Sequence, residues 1–255
     1  MVHSRLRWCA VAAAIVLVAA SGWSTAVSGS GGTPAAEAAA MDPTLRDLLV
    51  GFDRVQAGIR TLSANFSETT TSQLLKDPIQ SKGRFYLTKP SSVLWEYAEP
   101  EVMRFAIAND EYVGYFPRQN RAERSDVHRW SERIFRIFGV GQTSSELGKF
   151  YEIRLAPAAR DDRGTRVLRL EPRKRRVRKH VEQVRLRVNT ANYLPESIEL
   201  SGKAGYVRVI EFSDLKVNPD LSAGLYNIEI PAGVSVTNGT SGLETARPES
   251  ASRPR

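Results

Sequence analysis

Cysteine is almost missing from this chain of 255 residues; Cys9 is the only one. Histidine is nearly as scarce, with His3, His128 and His180 alone. Beyond residue 40 there is therefore no disulfide, no thiolate nucleophile and no cysteine ligand for zinc. HExxH, CxxC, Walker-type and GxSxG patterns are absent too. The acidic residues are scattered, without metal-ligand spacing, and no cofactor is expected. His128 and His180 are the only histidines that a hydrolytic triad in the folded part could use, and their ordinary role is structural or solvent-exposed. Long apolar runs are lacking as well. The longest, Trp8 to Ala20, falls short of the roughly 20 residues that a membrane-spanning helix needs.

That run reads as part of a secretory signal. Arg5 and Arg7 precede it, and small residues follow, with a candidate cut at Ser24-Thr25-Ala26 or as late as the stretch Ala35 to Ala40. An uncleaved N-terminal anchor is the alternative. Cys9 precedes the apolar run, whereas a lipidated cysteine would follow it, so Cys9 reads as packing material and the mature protein as soluble. The expected division is a signal at 1–26 (cut as late as 40), a flexible Ser/Gly/Ala-rich lead-in at 27–42, one domain at 43–237 and a disordered tail at 238–255.

What is abundant is basic charge, +8 overall. Losing residues 1–40 removes two basic residues and one acid, which leaves +7. Such a surface favours anionic partners. The densest run, Arg173-Lys174-Arg175-Arg176-Val177-Arg178-Lys179, reads as a solvated hairpin loop, with contact to anionic lipid or an acidic partner as the second reading. No aromatic residue interleaves the charges as a stacking platform, so nucleic acid is not an expected partner.

Leu45, Leu48, Leu49, Phe52, Val55, Ile59 and Leu62 recur at spacings of three and four, which predicts one amphipathic helix. Pro43 suits its start. Strands are expected at 63–72, 82–89, 93–97, 103–108 and 112–116, close enough together for an antiparallel meander. A helical insert follows at 129–138, then a short helix at 144–151. Six more strands are expected at 151–155, 166–170, 181–188, 197–200, 206–212 and 226–230. So many antiparallel strands must curl. Aromatic residues concentrate in the first half: Phe66, Phe85, Trp95, Tyr97, Phe105, Tyr112, Tyr115 and Phe116. They suit a packed core or an apolar cavity, and the sequence does not separate the two.

Five short patterns in order resemble the LolA family of periplasmic lipoprotein carriers. Leu62-Ser63-Ala64-Asn65-Phe66 opens the first strand. Gly83-Arg84-Phe85-Tyr86-Leu87-Thr88-Lys89-Pro90 and Leu94-Trp95-Glu96-Tyr97 with Pro100 follow. Phe212-Ser213-Asp214-Leu215-Lys216-Val217-Asn218 and Ile230-Pro231-Ala232-Gly233-Val234 close the domain. The likeness covers roughly residues 44–237. It implies a mainly β (α+β) fold: a single, strongly curved, half-open antiparallel β-barrel with lid helices, the first helix and the insert at 129–150. It implies carriage without catalysis, by a periplasmic monomer. Acylated lipoproteins would pass from an inner-membrane ABC transporter to an outer-membrane acceptor. The expected cavity lining is Phe66, Phe85, Leu87, Val93, Trp95, Tyr97, Phe105, Ile107, Ile134 and Phe138. The family places an arginine before the proline, where it hydrogen-bonds lid and loop carbonyls. Here Lys89 stands there, with fewer and less rigid donors, as the candidate latch. Two other classes stay open: a sensor resembling the RseB type, and a secreted lipid hydrolase.

Overall fold

The computed structural model describes residues 42–128, 141–157, 164–179 and 181–240. Helix α1 spans Pro43–Gly58. Asp42 caps it, its Oδ1 accepting from the Thr44 and Leu45 amides at 2.7 and 3.3 Å, and Pro43 occupies a first-turn position where no amide is needed. Leu45, Leu48, Leu49 and Phe52 form its buried stripe. The apolar spacing runs on through Ile59 and Leu62, yet the helix does not. Ile59 is already extended, and Leu62 belongs to the first strand.

Two antiparallel meanders follow. The first comprises β1 (Thr61–Thr71), β2 (Ile79–Thr88), β3 (Ser92–Glu99), β4 (Met103–Ala108), β5 (Glu111–Phe116) and β6 (Arg121–Asp126). The second comprises β7 (Tyr151–Leu155), β8 (Thr165–Pro172), β9 (Gln183–Asn189), β10 (Pro195–Ser201) and β11 (Val207–Val217). The pairing of β1 with β11 joins them, from Leu62↔Val217 to Thr71↔Val207. A last strand, β12 (Ser235–Asn238), runs parallel to β6. The result is one twelve-stranded sheet in the order β12-β6-β5-β4-β3-β2-β1-β11-β10-β9-β8-β7. Its edges, β12 and β7, do not pair, so the sheet is not closed into a barrel.

Several expectations need correcting. β6 and β12 went unpredicted; the polar Arg121–Asp126 has no apolar alternation to announce it. Of residues 226–230, expected as a strand, Tyr226 ends a 3-10 turn, Ala223–Tyr226, and the rest is irregular. Tyr226 and Ile228 are buried there against Leu94, Ala106 and Val113, on the opposite sheet face from the main core. Alternation in that segment comes from packing and not from a ladder. The short helix, α2, is Ser144–Gly148, ending before Tyr151 starts β7. The basic run does connect the paired strands β8 and β9, but it contains a helical turn, α3 (Arg175–Arg178). The insert expected at 129–138 lies outside the described residues, as do the signal and most of the tail. Asn238, expected to open the tail, is the last residue of β12. Among the described residues no helix is long and apolar enough to cross a membrane.

Candidate functional site

Strict alternation along β1 turns Leu62, Ala64, Phe66, Glu68 and Thr70 inward. The same rule turns Phe85 and Leu87 inward from β2, Val93, Trp95 and Tyr97 from β3, and Phe105 and Ile107 from β4. The structure brings the eight described members of the expected lining together. Phe66, Phe85, Leu87, Val93, Trp95, Tyr97, Phe105 and Ile107 share one core with the α1 stripe, each only 1–3% exposed. Their rings interlock: Phe85–Trp95 at 4.5 Å, Trp95–Phe66 at 4.8 Å, Phe66–Tyr97 at 5.0 Å and Tyr97–Phe105 at 5.8 Å. Gly83 is what admits Phe66, since a Cβ there would lie 2.8 Å from its ring. Ile134 and Phe138 lie outside the described residues.

In this conformation the aromatic set is filled. An apolar recess lies among Leu62, Ala64, Phe85, Phe212 and Leu215, but it has no room even for a water molecule. Ordinary ligand pockets hold roughly 300–1,000 Å³. A ligand of acyl-chain size needs the core to open, and α1 is the element that covers it. Gly51 of α1 rides directly on the Tyr193 ring, where a Cβ would sit 2.2 Å away.

Polar contacts fasten the C-terminal half of α1. Lys89 Nζ donates to the Gln56 carbonyl at 2.8 Å. Gln56 Oε1 accepts from the Gly141 amide at 2.7 Å. Asp53 accepts from the Ser144 amide and, at 2.6 Å, from its hydroxyl. Asn218, the last residue of a motif noted above, accepts from the Arg60 amide at 2.7 Å and donates to the Gly58 carbonyl at 3.0 Å. Glu146 closes a capping box with Thr143 at the start of α2. Burial lowers the Lys89 pKa below the usual value, partly offset by Glu146. Burial acts to raise that of Glu146, but the Thr143 hydrogen bonds and the charges of Lys89 and Lys149 hold it below the usual range. The clasp is incompletely satisfied. Gln56 Nε2 and Gln142 Oε1 are buried and have no hydrogen-bond partner among the described residues.

A second polar group went unseen in the sequence. Glu68, Tyr97 and Arg208 meet inside the core, from β1, β3 and β11. Arg208 pairs with Glu68 and donates to Tyr97 Oη at 3.1 Å, and Tyr97 donates to Glu68 at 3.0 Å. Burial and the adjacent Glu68 push the Tyr97 hydroxyl well above its usual pKa. Burial opposes the charge on Arg208, but Glu68, Tyr97 and Tyr206 outweigh it and raise its pKa. The phase of alternation was the available signal, because Glu68 is in step with Phe66 and Arg208 with Ile210.

His128 stands apart, 76% exposed, its Nδ1 2.7 Å from Asp110 Oδ2. His180 lies outside the described residues. Among the described residues no group of His, Cys, Asp and Glu could hold a metal ion.

A family model described as outer membrane lipoprotein carrier protein LolA matches residues 57–229. Among solved structures, an uncharacterized conserved protein from Thermus thermophilus is similar at 13% identity and a TM-score of 0.50, over 77% of this chain and 99% of that one. A LolA superfamily protein from Nitrosomonas europaea matches at 15% identity and a TM-score of 0.39, over 72% and 97%. The Mycobacterium tuberculosis lipoprotein LppX matches at 12% identity and 0.43, over 71% and 98%. At such identities the Thermus likeness is one of fold alone. No curated protein matches the chain.

Proposed function

The chain belongs to the LolA family, the outer membrane lipoprotein carrier proteins, and on that premise we propose that it carries acylated lipoproteins across the periplasm. The donor would be an inner-membrane ABC transporter and the recipient an outer-membrane acceptor. The work is binding and release, with no bond made or broken. Each CH₂ of an acyl chain costs about 0.8 kcal/mol in water, so a carrier needs a wide apolar shelter that can also empty.

One observation carries the reading. The inner face of β1–β4 around Trp95 is apolar and aromatic, and α1 covers it through a stripe of four side chains and a few polar bonds near its C-terminus. Moving α1 exposes that face without breaking a strand ladder. In this reading α1 and α2 are the lid, and Lys89 is the latch in place of the family's arginine. Phe66, Phe85, Leu87, Val93, Trp95, Tyr97, Phe105 and Ile107 become the lining once the lid shifts.

Mass spectrometry of the full chain purified from its native compartment tests this. Intact acylated lipoprotein should come with it. Cleaved acyl products would point to the hydrolase reading instead, and protein that is always free of lipid would overturn carriage. An RseB-like sensor would retain bound lipoprotein but fail to deliver it to an acceptor membrane.

A further inference from the structure

The basic connection between β8 and β9 is absorbed neither by the core nor by the clasp. Its first residue is spent inward. Arg173 Nε donates to the Gly148 and Tyr151 carbonyls at 2.9 and 3.1 Å, and its amide donates to the Phe150 carbonyl at 2.8 Å. Val177 packs against the main core. These contacts fix the loop beside α2, whose Ser144 hangs on Asp53 of α1. The loop is thus rigidly based, next to the lid, and Lys174, Arg175, Arg178 and Lys179 face outward.

Lys174, Arg175, Arg178 and Lys179 are exposed, and none makes an ion pair among the described residues. Most arginines of the strands behave otherwise. Arg104 pairs with Glu96, Arg124 with Glu111, Arg154 with Glu152, Arg169 with Glu171 and Arg185 with Glu199. These five sheet arginines are answered by carboxylates in the same or the adjacent strand, whereas Arg84 of β2 and Arg187 of β9 show no such pair among the described residues. At this one tip, four cations within six residues go unanswered.

We propose that this tip docks the lid end of the protein on an anionic phospholipid surface. Its charges have one sign, sit on long flexible stems, and are not interrupted by an acid that would set a register. Such a cluster suits headgroups that rearrange laterally better than the fixed pattern of a folded acidic partner. Each cation of this kind changes membrane partitioning roughly fivefold, and the attraction fades within a Debye length. The purpose rests on the carrier reading, since a docked tip would hold α1 and α2 against the bilayer. The binding itself does not rest on it.

Co-sedimentation of the full chain with vesicles tests the proposal. Phosphatidylcholine vesicles containing phosphatidylglycerol should bind the protein at low salt and release it at high salt, and pure phosphatidylcholine should not bind it. The quadruple variant Lys174→Gln, Arg175→Gln, Arg178→Gln, Lys179→Gln should lose binding on the order of 100-fold or more while keeping the wild-type unfolding temperature. Equal neutralisation at exposed Lys76, Lys82, Lys203 and Lys216 should cost far less. Equal losses in both variants would reduce the effect to net charge and overturn the proposal. So would binding to neutral vesicles, or capture of an acidic protein without any vesicle binding. No cargo is present in this assay, so docking and carriage can fail separately.

Discussion

Glu68, Tyr97 and Arg208 lie wholly inside the core, whereas Lys89, Gln56 and Asp53 meet at its border under the end of α1. Thr88, the neighbour of Lys89, pairs with Thr61 at the start of β1, seven residues before Glu68. In the first, three strands supply three side chains that bond one another, and Arg208, 3% exposed, keeps only its Nε without a partner among the described residues. In the second, Lys89 reaches a main-chain carbonyl from a half-buried position, while the Gln56 side chain that accepts from the Gly141 amide is fully buried. The inner cluster ties β1, β3 and β11 together. The outer one ties a helix to loops. Opening the core requires the second to yield and the first to hold.

The largest expected effect is at the inner cluster. Glu68→Ala leaves Arg208 charged and enclosed, which costs about 3–5 kcal/mol. Urea unfolding measures it. The paired change Glu68→Leu with Arg208→Met removes both charges and should recover most of that loss, because apolar replacement of a complete buried pair is often neutral. A loss under about 1 kcal/mol for Glu68→Ala would mean that water reaches Arg208, and the contrast between the clusters would collapse.

How much of this could be read beforehand differs by element. Met103–Ala108 and Tyr151–Leu155 follow from alternation to the residue, since each has one face in the core. Residues 226–230 alternate equally well yet are not a strand, because they lie across the outer face of β3–β5 and make no ladder. The α1 stripe overshoots by a turn, as Ile59 and Leu62 are buried in the same core from a strand geometry. Of the site, the aromatic core was legible as a set, because period two puts Val93, Trp95 and Tyr97 on one face. The Glu68–Arg208 pair was not, since its members are 140 residues apart and only the register of β1 with β11 brings them together. That Lys89 reaches Gln56 depends on where α1 stops, which no local pattern decides.

Alkaline pH separates the clusters by sign. Tyr97 and Tyr151 have folded pKa values above the ordinary 10, Tyr151 at about 12 through burial. Their contribution to stability is fully present below pH 10 and is lost as pH rises through the folded values. Tyr151 alone should remove about 2–3 kcal/mol between pH 10 and 12. Lys89 acts the other way. Its pKa is lowered from 10.5 by burial, so the unfolded chain binds more protons there, and stability rises slightly as pH passes from the lowered value to 10.5. The clasp loses its charge first, and the inner cluster ionises last. Tyrosinate absorbance followed beside urea midpoints checks the order. Ordinary titration of all eight tyrosines in still-folded protein would show that Tyr97 is not enclosed.

The smallest expected effect on stability is the most informative about the clasp. Lys89→Met deletes one hydrogen bond to the Gln56 carbonyl, but that oxygen also accepts from the Ile59 amide at 3.3 Å and is not orphaned. The variant also removes a charge that burial disfavours. The two contributions nearly cancel, so stability should stay within about 0.5 kcal/mol of wild type. Methionine keeps the apolar stem while lacking a donor, so α1 loses its link to the end of β2 and keeps its packing. If Lys89 holds the lid, a fluorescent acylated probe should enter the variant severalfold faster at unchanged unfolding midpoint. Unchanged probe entry would assign the hold on α1 to Asp53, Asn218 and the Phe52 stripe, and Lys89 would be a strand-end residue that merely finds a carbonyl.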